Sequence, residues 1–303
     1  MKQEIFEALS GIIPKENIHC NEPLSGYTSF QVGGPAKILL YADCVSQLQD
    51  VLTLLRKKSI PFMILGKGSN LLVSDEGYDG VVICPGEDFR SISCEGDRIR
   101  AGAGASLARV AALALQHGLT GFEFASGIPG TVGGAMVMNA GAYDGEMKQV
   151  VESVSMLNEA GEEVKYSCEE MEFDYRTSIL KREPFIVTEV VFKLQPGERD
   201  EIEEKMRTFA HRRKEKQPLE YPSAGSTFKR PQGHFAGKLI GDAGLSGYTI
   251  GGAQVSEKHN GFIINKGGAT AAQISALIEH VQTKVKEDSG VLLEPEVIYV
   301  GRM

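Results

Sequence analysis

Apolar residues recur at intervals of three and four positions in several parts of the chain, as they do on the buried face of an amphipathic helix. Residues suited to helix termini flank these parts: a serine or threonine on the N-terminal side, and basic residues or a glycine on the C-terminal side. A further, highly charged stretch ends just before a proline. The predicted helices are residues 45–58, 107–117 after Ser106, 200–216 before Pro218, and 274–285 after the capping box of Thr270 and Gln273.

Short apolar segments lie between the predicted helices and have the length of β-strands. They are residues 36–41, 62–65, 80–84, 98–101, 150–157, 185–194, 261–265 and 292–300. The mixture of helices and strands predicts an α/β or α+β fold and excludes an all-helical one.

Proline, glycine and charged residues interrupt these patterns at residues 85–88, 195–200 and 217–223. A chain of 303 residues is long enough for two or three domains. We therefore predict three pieces, with a last strand that is free to return to any of them. The pieces are residues 1–84, 85–198 and 199–291, and the last strand lies in residues 292–303.

The charge balance argues against nucleic-acid binding, because 32 Lys and Arg face 40 Asp and Glu and give a formal net charge of −8. Acidic residues near the start interrupt the apolar stretch that a signal peptide needs, so we expect a cytoplasmic protein. Residues 124–143 carry no charge and have the length of a membrane span. Their glycines, proline and polar side chains instead predict a loop-rich binding segment.

Cysteine and histidine are arranged without any metal-binding pattern. The five cysteines form no CxxC pair, and none of the six histidines lies at metal-ligand spacing. We expect no metal site. We expect the cysteines to be buried, reduced thiols.

Two glycine-rich segments, residues 66–70 and 126–135, are the first candidates for ligand binding. Glycines let backbone N–H groups converge on one point, and such a nest can hold a phosphate. Neither segment has the P-loop or the GxGxxG pattern. Ordinary turns are an alternative for both, although two such segments in one chain favour a ligand that contains pyrophosphate.

Three single residues and one basic run are the other candidates. Arg176 follows an acidic stretch, and Ser226 lies in a loop of small residues without the GxSxG elbow of a hydrolase. Each has an ordinary alternative, a solvated arginine and a turn serine. Residues 212–216 are either a solvated helix end or an anion site. Glu296 shares a predicted strand face with Ile298 and Val300. If those two apolar side chains point into a core, Glu296 points toward an interior or a cleft as well, where a carboxylate needs a partner. The alternative is an edge strand at the surface, with its glutamates in solvent.

Seven segments of the chain together resemble the UDP-N-acetylenolpyruvoylglucosamine reductase family. Each segment alone is modest, but they occur in the family's order over nearly the whole sequence. The segments are residues 27–36, 66–70, 126–134, 175–178, 224–229, 250–253 and 293–297.

The resemblance implies an α+β flavoenzyme with the FAD-binding fold of the vanillyl-alcohol-oxidase (PCMH) type. Residues 1–84 and 85–198 would form its two FAD-binding subdomains, and residues 199–291 a third, α+β domain that binds substrate. The C-terminal strand would return near the active site. NADPH would deliver hydride to FAD, and the enolpyruvyl group of UDP-GlcNAc-enolpyruvate would be reduced to UDP-N-acetylmuramate, in peptidoglycan precursor synthesis.

The resemblance also implies residue roles. Arg176 would stabilise the negative charge that hydride addition leaves on the substrate, Glu296 would assist, and Ser226 would donate the completing proton. The residues assigned to FAD are Gly66, Lys67, Gly68, Ser69, Asn70, Ser126, Gly127, Gly130, Thr131, Gly133, Asn139, Ala140 and Gly141. Those assigned to the substrate are Tyr175, Lys216, Lys229, Arg230, His259 and Asn260.

Two departures from wider relatives refine these expectations. Some superfamily members attach FAD covalently through a histidine in the first glycine loop or a cysteine near the second. This sequence has no histidine between His19 and His117 and no cysteine between Cys94 and Cys168, so we expect non-covalent FAD. The short stretch at residues 181–184 resembles the family's shorter subtype, which lacks an inserted tyrosine-bearing loop.

Two alternative functions are compatible with part of this interpretation, either with the fold or with a UDP-sugar ligand. The same fold could serve a flavin oxidase of a small alcohol or hydroxy acid, which loss of Arg176, Ser226 or Glu296 would have favoured. A catalytically silent UDP-sugar-binding regulator would show degraded glycine segments, and these are intact. We expect small-molecule partners only, with no nucleic acid, no membrane and no obligate protein partner.

Overall fold

The computed structural model describes residues 2–302, and contacts divide the chain into two compact units. Unit 1 contains the residues up to 19, residues 38–67 and residues 81–213. Unit 2 contains residues 20–37, residues 68–80 and the residues from 214 onward. Each unit is therefore built from separate stretches of the sequence.

The α-helices and β-strands of the described residues have the following bounds. The helices are α1 Lys2–Leu9, α2 Val45–Lys57, α3 Leu107–Gln116, α4 Val132–Val137, α5 Arg199–Lys216, α6 Ala236–Asp242 and α7 Ala271–Ser289. The strands are β1 Ile18–Pro23, β2 Pro35–Ala42, β3 Phe62–Ile64, β4 Leu71–Val73, β5 Tyr78–Pro85, β6 Ile92–Glu95, β7 Arg98–Gly102, β8 Leu119–Thr120, β9 Gly141–Ala142, β10 Gly145–Glu146, β11 Val151–Leu157, β12 Glu163–Ser167, β13 Ile186–Lys193, β14 Gln195–Pro196, β15 Thr249–Ile250, β16 Ala253–Val255, β17 Ile263–Asn265 and β18 Ile298–Val300.

The larger sheet of unit 1 has five antiparallel strands in the order β12-β11-β13-β7-β6. Its inward-facing residues form one core with α3 and with the residues around α4; Val190, Phe192 and Val110 are all 0% exposed. The core therefore lies directly beneath the second glycine-rich segment.

A second sheet has the order β1-β2-β5-β3, in which β3 runs parallel to β5. The unit 1 residues of these strands share a core with α1 and α2. The buried residues of α2, among them Leu48, Val51 and Leu55, follow the helical spacing that predicted this helix. The parallel strand β3 leads straight into the first glycine-rich segment.

Unit 2 packs α6 and α7 with a three-stranded antiparallel sheet, β15-β16-β17. β18 pairs in parallel with β4, with Ile298 opposite Leu71. The buried residues of α7 include Ile274, Leu277 and Val281. At roughly 1.5–3 kcal/mol for each buried side chain of this size, that helix face contributes much of the unit's hydrophobic stabilisation.

The four predicted helices are confirmed, with their ends shifted by a few residues at most, except that α7 continues to Ser289. Two predicted caps are confirmed as well. Ser106 accepts a hydrogen bond from the Arg109 N–H, and Thr270 and Gln273 form a reciprocal capping box. The division into residues 1–84, 85–198 and 199–291 stays a prediction.

The uncharged run 124–143 is loop-rich, as predicted, and also contains the short helix α4. Two other expectations are wrong in part. The strand predicted over residues 292–300 begins only at Ile298. All five cysteines are free, but only Cys84 is buried; there, burial raises the pKa of the thiol to about 12.

No helix within residues 2–302 has both the length and the apolar character needed to span a lipid bilayer.

Candidate functional site

The first glycine-rich segment joins β3 to β4. Gly66 and Lys67 belong to unit 1, and residues 68–70 belong to unit 2. In unit 1, a Cβ atom on Gly66 would lie 2.5 Å from Thr131 Oγ1. Glycine is therefore required where the first segment approaches the second, and the structure brings these two predicted ligand segments together.

The second glycine-rich segment is ordered by its own short helix. Thr131 is the N-cap of α4, and its hydroxyl oxygen accepts a hydrogen bond from the Gly134 N–H at 3.4 Å. The Gly133 N–H donates to the Ala103 carbonyl at 2.8 Å. A Cβ on Gly133 would lie 3.1 Å from the Ala103 Cβ and 3.3 Å from the Ala103 carbonyl oxygen, so a side chain here would press on Ala103, which directly follows β7.

A cation that the sequence analysis did not single out lies beside this segment. Arg213, near the end of α5, places its Nη1 3.3 Å from where a Cβ on Gly127 would be. Burial lowers the pKa of the Arg213 guanidinium, and the nearby Tyr143 partly opposes this. An arginine remains charged in a protein even so. The basic run at residues 212–216 had suggested an anion site, but nothing in the pattern distinguished Arg213 from its neighbours.

Arg176 lies in a tight turn of unit 1. The N–H groups of Asp174 and Thr177 each donate to the other residue's carbonyl, at 3.2 and 3.1 Å. Arg176 has a φ of +55°, in the left-handed region that arginine rarely adopts. Its Nη2 donates to the Gly141 carbonyl at 3.1 Å, and its guanidinium carbon lies 5.2 Å from the centre of the Tyr175 ring. The structure thus joins Arg176 to the predicted cofactor segment 139–141.

Ser226 and Glu296 are linked in unit 2 through Thr227, which follows Ser226 in the sequence. The Glu296 N–H donates to the Thr227 carbonyl at 2.8 Å, and the chains at Phe228 and Pro295 form a β-bridge. Thr227 is fully buried, whereas the neighbouring Ser226 is exposed. A buried anchor therefore presents an accessible hydroxyl beside a carboxylate-bearing segment.

Asn70 fixes the same segment. Its Nδ2 donates to the Glu296 carbonyl at 3.0 Å, and its own carbonyl accepts from the Ile298 N–H at 2.9 Å. The strand-alternation argument for Glu296 is nevertheless wrong in its premise. Leu293 and Val297 are the buried residues here, and Ile298 is exposed. The regular strand begins only at Ile298, so the alternation of strand faces does not extend back to Glu296.

The predicted substrate residues of unit 2 have contacts of different kinds. Lys229 pairs with Glu294 at 2.7 Å, and the guanidinium carbon of Arg230 lies 4.1 Å from the centre of the Phe235 ring. Lys216 is exposed at the end of α5. Tyr175 of unit 1, the sixth predicted substrate residue, is 47% exposed.

His259 and Asn260 lie next to the Thr227 segment, because the Thr227 N–H donates to the Gly261 carbonyl at 2.8 Å. The His259 Nδ1 atom accepts from the Gly261 N–H at 3.1 Å, and burial lowers the pKa of its imidazole. The Asn260 side-chain oxygen is buried and has no hydrogen-bond partner among the described residues. It is therefore an acceptor without a donor at the predicted substrate face.

The residues of the glycine segments fit an anionic dinucleotide such as FAD. In unit 2, Ser29 donates its N–H to the Gly68 carbonyl, while its buried hydroxyl oxygen has no partner within residues 2–302. A Cβ on Gly68 would overlap the Tyr27 carbonyl oxygen, so position 68 of this loop must be a glycine. In unit 1, the uncharged second segment has the Arg213 cation beside it. The described part of the chain holds no cluster of His, Cys, Asp or Glu that could bind a metal ion.

Family models match two parts of the chain. Residues 36–167 match the FAD binding domain, and residues 217–300 match the C-terminal domain of UDP-N-acetylenolpyruvoylglucosamine reductase. A protein of that name from Caldanaerobacter subterraneus subsp. tengcongensis is 52% identical over 301 residues, 99% of each chain. Another, from Lachnoclostridium phytofermentans, is 47% identical over 99% of this chain and 98% of its own.

Solved structures agree with these matches. The crystal structure of UDP-N-acetylenolpyruvylglucosamine reductase from Thermus caldophilus is similar with a TM-score of 0.81 and 37% identity, covering 92% of this chain and 97% of its own. The 4-ethylphenol oxidase of Gulosibacter chungangensis has a TM-score of 0.50 at 15% identity, over 64% of this chain and 42% of its own, which bears on the fold alone. The predicted α+β fold of the PCMH flavoprotein type is confirmed.

Proposed function

The chain belongs to the UDP-N-acetylenolpyruvoylglucosamine reductase family, and on that premise we propose that it reduces UDP-GlcNAc-enolpyruvate to UDP-N-acetylmuramate with NADPH as donor. The observation that carries the proposal is 52% identity to a reductase of that name over 99% of both chains. The enzyme is an FAD-dependent oxidoreductase of peptidoglycan precursor synthesis. We propose that it acts in the cytoplasm.

Bound FAD would supply two-electron hydride transfer from NADPH to the enolpyruvyl double bond. The residues proposed to hold FAD are those of the two glycine-rich segments, together with Ser29 and Arg213. Support for their fit comes from the contact between Gly66 and Thr131, from the unpartnered Ser29 hydroxyl and from the Arg213 cation at Gly127. No side chain in these segments is proposed to form a covalent bond with the cofactor.

Arg176 is proposed to stabilise the negative charge that develops on the substrate carboxylate when hydride reaches the adjacent double bond. A guanidinium that is already fixed before the reaction needs no reorganisation when the charge appears, which is the condition for effective electrostatic stabilisation. Support for this role is the restrained turn, in which the Gly141 carbonyl holds the side chain and the left-handed backbone fixes its direction.

Ser226 is proposed to donate the proton that completes the reduction, at the carbon next to the carboxylate. A hydroxyl is a weak acid at neutral pH, so it can serve only a strongly basic acceptor within hydrogen-bond reach. The aci-carboxylate formed by hydride addition is such an acceptor. The exposure of Ser226 beside the buried Thr227 supports the role, since the neighbouring backbone is anchored while the serine side chain is accessible.

Glu296 is proposed to assist Arg176 in stabilising the charge, from the opposite side of the substrate. The main chain of Glu296 is fixed on both sides, by the Thr227 carbonyl that its N–H reaches and by the Asn70 amide that its carbonyl accepts. A fixed backbone limits the positions that the Glu296 side chain can reach, which suits a group that must face the developing charge at one place.

Recognition of the sugar nucleotide is proposed for Tyr175, Lys216, Lys229, Arg230, His259 and Asn260. The diphosphate would be bound by the cations among them, since guanidinium and ammonium groups suit phosphate oxygens. Lys229, which pairs with Glu294, would then either leave Glu294 to bind a phosphate oxygen or contact the diphosphate while it keeps that ion pair. Asn260 offers an unpartnered acceptor to a hydroxyl or an N–H donor of the ligand.

Steady-state turnover of the purified, FAD-loaded enzyme tests the proposal. NADPH should be consumed only when UDP-GlcNAc-enolpyruvate is present, with one NADPH oxidised for each UDP-N-acetylmuramate identified by mass spectrometry. UDP-GlcNAc, which lacks the enolpyruvyl group, is the matched control and should give no oxidation. NADPH oxidation that proceeds equally with UDP-GlcNAc, or without any sugar nucleotide, would contradict the proposal.

A further inference from the structure

Asn139 is wholly buried, at 0% exposed, and every hydrogen-bonding group of its side chain has a protein partner. Its Nδ2 donates to Glu146 Oε2 at 3.0 Å and to the Asp174 carbonyl at 3.1 Å. Its Oδ1 accepts from the Lys148 N–H at 2.9 Å. An amide NH₂ has two donors, so both are used within unit 1. The side chain is therefore occupied by the protein itself.

One of those partners belongs to the turn that carries Arg176. The Asp174 carbonyl that accepts from Asn139 also accepts from the Thr177 N–H, which closes the turn. Two residues after Asn139, the Gly141 carbonyl accepts from the Arg176 guanidinium. The backbone of the turn and the tip of the arginine are thus attached to the same three-residue segment.

The turn needs an external restraint, because its conformation is costly for arginine. A left-handed backbone at a non-glycine residue is costly and persists only where surrounding contacts over-determine it. Arg176 has a φ of +55°, and Asn139 itself has a φ of +39°, which asparagine tolerates better than most residues. β9 and β10, which pair Gly141 with Glu146, close the other side of the network.

We propose that Asn139 is a positioning residue for Arg176: it holds the Asp174–Thr177 turn so that the guanidinium is presented at one place. The inference rests on the proposed role of Arg176. It gives the Asn139 side chain, whose hydrogen bonds are all made within unit 1, a function distinct from contact with the cofactor. Loss of the amide leaves the Asp174 carbonyl, the Glu146 carboxylate and the Lys148 N–H without that partner.

The first test separates the two half-reactions of the holoenzyme. In Asn139→Ser, which is smaller and keeps a single hydroxyl, flavin reduction by NADPH should stay within about twofold of wild type. Flavin reoxidation by the sugar nucleotide should slow by ~10- to 100-fold, as expected when a catalytic group is misplaced. Equal slowing of both half-reactions, or unchanged reoxidation, would overturn the proposal.

The chain offers a matched control. Asn158 also donates to a glutamate (Glu162 Oε2, 3.0 Å) and accepts a hydrogen bond from the backbone N–H of that residue (2.9 Å). Unlike Asn139, it is only partly buried, and it lies in the β11–β12 turn. Asn158→Ser should leave both half-reactions at wild-type rates. If it slowed reoxidation as much as Asn139→Ser, the effect would not come from the Arg176 turn and the proposal would be wrong.

A double-mutant cycle tests whether Asn139 acts through Arg176. In an Arg176→Ala background, Asn139→Ser should change the reoxidation rate by less than about twofold, because the group that it positions is gone. A full additional loss in the double variant would show that Asn139 acts by another route. If Arg176→Ala alone left reoxidation unchanged, the proposed role of Arg176 would fail.

A spectroscopic measurement reads the turn independently of catalysis. The sequence contains no tryptophan, so Tyr175→Trp makes the turn the sole source of tryptophan emission. Adding Asn139→Ser to this variant should increase acrylamide quenching of the holoenzyme's emission, and adding Asn158→Ser should not. Equal quenching in all three proteins would overturn positioning by Asn139 even if Arg176 proved catalytic.

Discussion

At the residue scale, Gly66 shows most directly why a glycine is needed in the two glycine-rich segments. A Cβ at this position would lie 2.5 Å from Thr131 Oγ1, and Thr131 is β-branched and engaged as the N-cap of α4. The threonine cannot rotate away without giving up that cap. The two segments can therefore approach one another only because residue 66 has no side chain.

We accordingly expect Gly66→Ala to weaken FAD binding by at least about tenfold, since one displaced contact of about 1.4 kcal/mol corresponds to a factor of ten. The measurement is the dissociation constant of FAD from the reconstituted apoprotein, followed by flavin fluorescence. Gly26→Ala is the control, because a Cβ on Gly26 would meet no atom within 4 Å. Equal affinity of Gly66→Ala and wild type would contradict this account of the segment.

His259 makes stability depend on pH in a defined direction. Burial lowers the pKa of its imidazole below the ordinary value of 6.5, so the unfolded chain takes up the proton first as pH falls. Protonation then favours unfolding, and stability is lost as pH falls below about 6.5 toward the lowered folded pKa.

The denaturant midpoint at about pH 8 and about pH 5.5 checks this direction. His259→Asn keeps an acceptor for the Gly261 N–H but cannot be protonated, so its midpoint should fall less between the two pH values than that of wild type. Other titrating groups are common to both proteins and cancel in the difference. An identical fall in both proteins would contradict the assignment.

The sequence offers candidate residues for the site but not their geometry. Its motifs suggest Arg176, Ser226 and Glu296 as catalytic residues, and these roles stay predictions. The argument that placed Glu296 on a buried strand face was wrong, because the chain there is irregular until Ile298. Arg213 was hidden in a run of charges that are alike in sequence and differ only in burial. Whether one charged side chain in such a run is buried depends on contacts with residues far away in the sequence, and no local pattern contains that information.

At the element scale, α7 shows a helix whose start is specified in the sequence and reinforced by tertiary structure. Thr270 and Gln273 form the capping box. Asp75, far away in sequence, accepts hydrogen bonds from the Ala271 and Ala272 N–H groups at 2.8 and 2.9 Å. N–H groups that would lack partners at the helix start are thus satisfied, and the carboxylate also suits the positive end of the helix dipole.

Thr270→Ala should destabilise the FAD-saturated protein by about 1 kcal/mol, the usual cost of losing an N-cap side chain. Thr270→Ser keeps the hydroxyl and should stay close to wild type. Urea unfolding of the three proteins, at one fixed excess of FAD, measures the difference. A loss as large in the serine variant would show that the methyl group, rather than the cap, is responsible.

Elements with a long apolar stripe or an explicit cap, such as α2, α3 and α7, were predictable from the sequence. The short ones were not. α4 has six residues, two of them glycine, and forms because Thr131 caps it and the unit 1 core covers Ala135 and Met136. Such a segment has too little periodicity of its own, so tertiary packing decides its structure.

At the scale of the whole molecule, the two units are each assembled from separate stretches of chain. Sequence patterns can mark places where an element ends, but they cannot show which distant stretch an element packs against. β4 pairs with β18 across more than two hundred residues. The predicted linear order of three pieces contains no information of this kind.

We expect the flavin to be held without a covalent bond, because neither glycine segment contains a histidine or a cysteine. Denaturation of the purified protein in the dark, followed by ultrafiltration, should transfer all the flavin absorbance to the filtrate. Flavin that stays with the polypeptide would contradict the non-covalent proposal. A protein that neither contains FAD nor binds added FAD would contradict the flavoenzyme assignment.

Anaerobic reoxidation of the reduced enzyme by UDP-GlcNAc-enolpyruvate in a stopped-flow instrument tests the proposed reaction most directly. After one equivalent of NADPH has bleached the flavin, the sugar nucleotide should restore its colour and become UDP-N-acetylmuramate. Ser226→Ala should be bleached normally but regain colour at least about 100-fold more slowly, the scale of a lost proton donor. Ser223→Ala, in the same loop, should match wild type. A reduced enzyme that ignores the sugar nucleotide and recovers its colour only with oxygen would contradict the claim and favour an oxidase.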